Sequence, residues 1–133
     1  EHCMIIKAKL EQELIRMTEE EAREFLTEFN ITASAKDRVI QMSYSLLGLM
    51  SFFTVGEDEV RAWTIHRGTL ALDAAEVIHS DIKKGFIRAE IISYQDLMDA
   101  GNQVDARKRG TFRLEGKTYE VQDGDIINFR FNV

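Results

Sequence analysis

The chain has 133 residues, of which 44% are hydrophobic and 30% charged, with 17 basic and 23 acidic side chains giving a net charge of −6. That composition is globular rather than disordered, and the length suits one domain, or one small domain with a helical extension. The acidity excludes a general nucleic-acid coat protein, which depends on an excess of lysine and arginine, so any RNA contact has to be local.

In chain order, Cys3-Met4-Ile5-Ile6 reads as a short apolar strand that gives way near Lys7 to helical spacing at Leu10, Leu14, Ile15 and Met17. Thr18 followed three residues later by Glu21 is a capping box, which predicts a second helix over 19–28 with Ala22, Phe25, Leu26 and Phe29 on its apolar side. Ser34 or Asn30 can cap a third helix, whose stripe is Val39, Ile40, Ser43, Tyr44 and Leu47, with Gly48 as its stop. The period then switches toward two. Residues 52–55 and 60–67 read as strands joined by the turn Gly56-Glu57-Asp58-Glu59, with any linker near 48–52. Helical spacing returns over 71–79 with Thr69 as its cap. Residues 86–92 then alternate Ile87, Ala89 and Ile91 against Arg88 and Glu90, as in a strand with one buried and one charged face. A short helix over 94–99 leads into a polar segment, 101–110. Residues 112–114 and 117–121 read as a tight hairpin, and 126–132 as the last strand, with Ile127, Phe129 and Phe131 facing one way and Asn128 and Arg130 the other. The resulting α+β order, two strands, a helix and three strands after a helical segment, suits a β-grasp, while periodicity equally permits a ferredoxin-like arrangement.

Four segments carry a family likeness. They are Phe53-Thr54-Val55-Gly56, Glu59-Val60-Arg61-Ala62-Trp63-Thr64-Ile65, Lys84-Gly85-Phe86-Ile87-Arg88-Ala89-Glu90, and Gly124 through Phe131-Asn132-Val133. Together they resemble the C-terminal TGS domain of the YchF or Obg-like ATPases, which belong to the P-loop GTPase class. The resemblance implies a ubiquitin-like β-grasp over 51–133, preceded over 1–50 by the end of a G domain and an amphipathic helical connecting segment. It also implies a non-catalytic regulatory or recognition module of a ribosome-associated ATPase, binding ribosome or RNA. The alternative is a ubiquitin-like protein-interaction domain that docks on its own G domain or on another protein. ATP or GTP with magnesium is expected for the full-length protein, and no cofactor for this fragment. Lys7-Ala8-Lys9-Leu10-Glu11 is similar to the segment beside the nucleotide base in that family, which makes Ala8 and Lys9 candidates for one wall of a base pocket. Lys7 stands where the family has a small residue. Leu70-Ala71-Leu72-Asp73-Ala74-Ala75-Glu76 stands where it has Lys-Ala-Pro-Gln-Ala-Ala-Gly, so a proline, a glycine and a positive charge are absent here.

The chain contains no G-x-x-x-x-G-K-[ST] to cradle phosphates, so this chain alone is expected not to hydrolyse ATP or GTP. His2, His66 and His79 have no metal-ligand spacing with one another or with Cys3, and no metal is expected. His79 reads as the cap of a turn. No nucleophile elbow is present, and no carboxylate pair stands out as acid and base. The lone Cys3 excludes an internal disulfide framework and reads as a buried small hydrophobe in a reducing, cytoplasmic setting. The apolar run 46–55 is too short and too interrupted for a span of about 20 residues, no secretory signal is visible, and neither a membrane nor DNA is an expected partner. The opening at Glu1 without methionine leads us to expect a fragment. The RNA or ribosome candidates are Arg88, Arg130 and Asn128 on an exposed strand platform, and the basic clusters Lys83-Lys84 and Arg107-Lys108-Arg109 beside Gly85 and Gly110. The competing reading is a solvated sheet face with Arg–Glu pairs and plain turns. Trp63 reads as a core residue, with base stacking as the alternative.

Overall fold

The computed structural model describes residues 3–56 and 58–132. The chain divides into two compact units, Glu1–Leu46 and Leu47–Val133. The expectations at His2, at Glu57 in the first hairpin turn and at Val133 lie outside the described residues.

The first unit holds three helices, α1 (Ala8–Leu14), α2 (Glu19–Glu28) and α3 (Ala35–Leu46). The capping box forms as the sequence predicts: Thr18 accepts from the Glu21 amide while the Glu21 carboxylate accepts from the Thr18 amide. Ser34, rather than Asn30, caps α3 by accepting from the Asp37 amide; Asn30 instead takes a left-handed conformation, φ 52°, just past the end of α2. The Glu11 carboxylate of α1 accepts from the Ala35 amide at 2.9 Å and so fixes the start of α3. No strand forms over 3–7. Four apolar residues in a row have no neighbouring strand here to supply a ladder, and Cys3 is exposed rather than buried.

The second unit contains a five-stranded mixed sheet in the order β2-β1-β5-β3-β4, built from β1 (Leu49–Val55), β2 (Val60–His66), β3 (Phe86–Ser93), β4 (Arg113–Glu115) and β5 (Asp125–Phe131). β1 and β5 run parallel with Phe53 beside Ile126, and every other neighbour is antiparallel. β1 starts directly after Gly48, so residues 48–52 are not a linker. On one face lie α4 (Ala71–Ile78) and α5 (Ser80–Lys84). Ala71, Ala74 and Ala75 of α4 are fully buried against Phe52, Ile65, Ala89, Ile91, Ile127 and Phe129. Small residues let the helix approach the sheet closely, and each fully buried large side chain contributes roughly 1.5–3 kcal/mol. The opposite face carries a smaller core, in which Ile92, Ile126 and Phe53 meet α6 (Tyr94–Ala100) and α7 (Gln103–Lys108). The polar segment 101–110 is therefore mostly a helix. Asn102 caps it by accepting from the Asp105 amide, after Gly101 has closed α6 at φ 82°.

Three further expectations change. Thr69 does not cap α4; its hydroxyl donates to the His66 carbonyl, and α4 is anchored by backbone bonds from Ala71 to Tyr119 and from Leu72 to Lys117. Those bonds also explain why 117–121 does not close a hairpin on 112–114: its carbonyls are committed to α4, and β4 pairs with β3 instead. Ile87 is exposed because a register shift between Phe86 and Arg88 turns it outward, leaving Phe86 to fill the core.

The C-terminal strand closes against Gly85, whose carbonyl accepts from the Asn132 amide at 2.9 Å. A Cβ at Gly85 would overlap the Asn132 carbonyl oxygen, while one at Gly116 meets only the Arg88 guanidinium at 3.7 Å. Gly85→Ala is expected to destabilise the second unit by about 1–3 kcal/mol in urea unfolding and Gly116→Ala by less than about 1 kcal/mol. Equal effects would mean that the close approach does not hold the last strand.

Candidate functional site

The basic candidates do not form one platform. Ala8 and Lys9 occupy the first turn of α1, exposed, in the first unit. Lys83 and Lys84 belong to α5, on the helical face of the sheet, and both are engaged. Lys83 reaches Asp73 at 3.0 Å and Glu76 at 2.5 Å, and Lys84 lies 3.6 Å from Asp81. Hydrogen bonds that Lys83 donates to Glu76 and Asp73 raise its pKa, burial opposing them. Asp73 and Glu76 are the acids in the segment that departs from the family pattern, and here they tie α4 to α5. His79 caps α5 by accepting from the Asp81 amide at its Nδ1.

The other face gathers the rest. Arg88 and Arg130 stand opposite each other across the β3–β5 pair, and Glu90 stands opposite Asn128. Glu90, read from sequence as an exposed platform residue, is 5% exposed. Arg107, delivered by α7, grips it with two parallel bonds, Nη1 to Oε1 at 2.5 Å and Nη2 to Oε2 at 3.0 Å. Arg130 Nη2 adds a third at 3.4 Å. A two-pronged guanidinium–carboxylate bond fixes direction as well as distance. The bonded Arg107 guanidinium holds the Glu90 carboxyl below the usual carboxylate range, burial opposing it, with the charge of Arg130 and a bond from Asn128 adding to the effect. The Arg107 guanidinium also lies 4.4 Å above the Phe112 ring. Lys108 pairs with Asp105, and Arg109 donates to the Asp99 carbonyl. Arg88 is exposed and makes no hydrogen bond or ion pair with the described residues.

Arg107 and Arg130 therefore hold one carboxylate, with Asn128 alongside and the exposed Arg88 opposite Arg130 on the same sheet face, leaving a local excess of positive charge on an acidic chain. Guanidinium donors not spent on Glu90 face solvent, since the side chains of Arg107 and Arg130 are half-exposed. Such a cluster can bind anions, phosphates in particular, with its geometry set before the ligand arrives. The sequence picked out Arg107 only as part of a basic run; its partner Glu90 lies 17 residues away, and no local pattern announces the pair. Trp63 packs toward the α4 core, donates from Nε1 to Thr54 Oγ1 at 2.9 Å and carries Arg61 over its ring at 4.2 Å, as the core reading expects. Phe52 is fully buried and unavailable for docking, whereas Phe53 is partly exposed on the outer face.

Residues 49–132 match the family described as YchF-GTPase_C, protein of unknown function (DUF933). The chain is 51% identical over 130 residues to the Bacillus subtilis (strain 168) protein named ribosome-binding ATPase YchF, which takes in 98% of this chain and 36% of that protein. It is 47% identical over 123 residues to Obg-like ATPase 1 of Gallus gallus, covering 92% of this chain and 31% of that protein. It superposes on a solved structure, the Schizosaccharomyces pombe YchF GTPase, with a TM-score of 0.73 and 43% identity over 89% of this chain and 31% of that chain. The chain thus spans about a third of the length of the curated relatives it matches.

The Glu90 pairing has a pH signature. A carboxyl whose folded pKa is depressed contributes stability that is present above its unfolded value, 4.5, and is lost as pH falls through the folded value. Thermal melts from pH 7 down to about pH 3 should therefore show a shallower acid limb in Glu90→Gln than in the unsubstituted chain. Parallel limbs would mean that Glu90 adds nothing to acid sensitivity.

Proposed function

The chain belongs to the YchF-GTPase_C family, the C-terminal part of YchF-type and Obg-like ATPases, and from that premise we propose that it is the non-catalytic recognition module of a ribosome-associated ATPase. It contacts ribosomal RNA through the outer sheet face. The single observation that carries this reading is the pair Arg107 and Arg130 held on Glu90, with Arg88 exposed beside Arg130, a preset phosphate-binding surface on a chain of net charge −6. The same premise supports reading residues 51–133 as a TGS domain of β-grasp type. The strand order β2-β1-β5-β3-β4, with its parallel β1–β5 centre and α4 on one face, suits a β-grasp. Residues 1–50 are then the end of a G domain and its helical connection. In the longer protein, Ala8 and Lys9 form one wall of the pocket for the base of ATP or GTP, consistent with their exposed position at the start of α1. No phosphate-binding loop exists in this chain, so its residues take no part in holding the phosphates or magnesium, and hydrolysis belongs to the remainder of the protein.

The second reading is a protein-docking domain, supported by the partly exposed Phe53 on the outer face. Cosedimentation with purified ribosomes across a salt series separates the two. Removing two phosphate contacts with Arg88→Gln/Arg130→Gln should weaken binding at least tenfold at low salt and reduce the slope of log affinity against log salt by roughly 1.4–1.8. Lys84→Gln, on the other face, should leave both unchanged. Salt-insensitive binding that survives the double substitution would contradict the RNA reading.

A further inference from the structure

A trough runs along the outer face of the second unit beside α6. Its floor is Phe53, Val55 and Ile126, and its walls are Val60 of β2 and Tyr94, Leu97 and Met98 of α6. Among the described residues no polar atom lines this stretch, and its walls are open to solvent: Val60 is 67% exposed and Met98 50%. At Phe53 and Tyr94 it continues into a second, still mainly apolar stretch to which Ser51, Ser93, Gln95 and Asp123 add polar groups. Asp123 spends one oxygen on the Ser51 amide, which leaves the other free to accept.

Apolar side chains at this exposure are retained against the cost of wetting them, and a contiguous apolar stretch rimmed by polar groups marks an interaction surface. The charge that lines it is negative. Among the described residues Asp123 is the one charged residue lining it; Glu59 and Arg61 flank Val60 in sequence, and Asp99 follows Met98 on α6. Arg109 approaches α6 through the Asp99 backbone carbonyl and leaves the Asp99 carboxylate to Gln95. The arginines of the Glu90 cluster lie toward the β3 side, away from the trough walls. An RNA strand or an acidic peptide would meet the Asp123 carboxylate here.

We propose that this trough docks a short basic segment of a partner protein, one that seats two or three aliphatic or aromatic side chains between α6 and β1–β2 and sets a lysine or arginine against Asp123. This deepens the protein-docking reading by naming its site and the chemistry of its partner, and it stands whether or not the arginine cluster meets RNA. Protein–protein recognition of this kind takes its affinity from buried apolar anchors and its discrimination from the charged rim.

The test uses the whole chain with methyl-labelled methionine and two probes, an amphipathic leucine–lysine peptide and its leucine–glutamate counterpart, followed by NMR. The expected result is saturable binding of the lysine peptide that shifts the Met98 methyl and leaves the buried Met50 methyl unmoved. Affinity should fall at least tenfold in Val60→Lys/Met98→Lys and several-fold in Asp123→Asn, which keeps the acceptor for Ser51. Both substituted wall residues are exposed, so an unchanged melting temperature is the check that these variants fold. Arg88→Gln/Arg130→Gln should bind the peptide normally, which separates failure of this proposal from failure of the RNA reading. Equal binding of the glutamate peptide, binding unaffected by Val60→Lys/Met98→Lys, no binding at all, or a concentration-dependent dimer abolished by that variant would each overturn it, the last by assigning the trough to a second copy of the chain.

Discussion

The outer half of the second unit depends on one carboxylate. Glu90 points to the sheet face that a two-layer fold would leave to solvent, yet it is almost fully buried, because α7 and its Arg107 close over it while Arg130 reaches it from β5. A carboxylate withdrawn from water at that depth is costly without compensation. Three guanidinium bonds supply it, and the two from Arg107 tie a six-residue helix that has little core of its own to the centre of the sheet. The arginines are directed by the acid they neutralise. An exposed set of guanidiniums is thus organised by an anion inside the protein.

The two faces of the sheet follow from different physics. The α4 face is an apolar contact between small residues on a helix and large ones on strands, and it holds the larger of the unit's two cores. The opposite face divides into an apolar part, where α6 meets Ile92 and Ile126, and the Glu90 cluster farther along the same strands. Its chemistry is correspondingly local: one end presents guanidiniums, and the flank beside α6 presents apolar side chains with the Asp123 carboxylate at the rim. A chain of net charge −6 can in this way offer a basic surface and an acidic one without conflict.

Much of this was legible where the determinant is local. The Thr18–Glu21 box gave α2 to the residue, and the alternation of Ile127 and Phe129 against Asn128 and Arg130 placed β5 and its faces. The family likeness was legible in the segments around Trp63 and Gly85. What was not legible required partners distant in sequence. The strand at 3–6 was inferred from apolarity alone, and apolarity does not supply a neighbouring ladder. Ile87 carries the right residue type for a core position, but the shift beside Arg88 turns it outward. The hairpin at 112–121 was forecast from turn chemistry, which competes with the backbone bonds that α4 makes to 117–119. Arg107 looked like one residue of a solvated basic run because nothing nearby in sequence reveals Glu90.

The most direct measurement of whether Glu90 organises this face is native-state amide hydrogen exchange on the whole chain, comparing the unsubstituted protein with Glu90→Gln at neutral pH. If Glu90 anchors α7, the amides of Ala106 and Arg109 should lose protection in the variant while those of the central strands, Ile91 and Ile127 among them, keep theirs. Unchanged protection in α7 would contradict that account and leave Arg107 as an ordinary surface arginine.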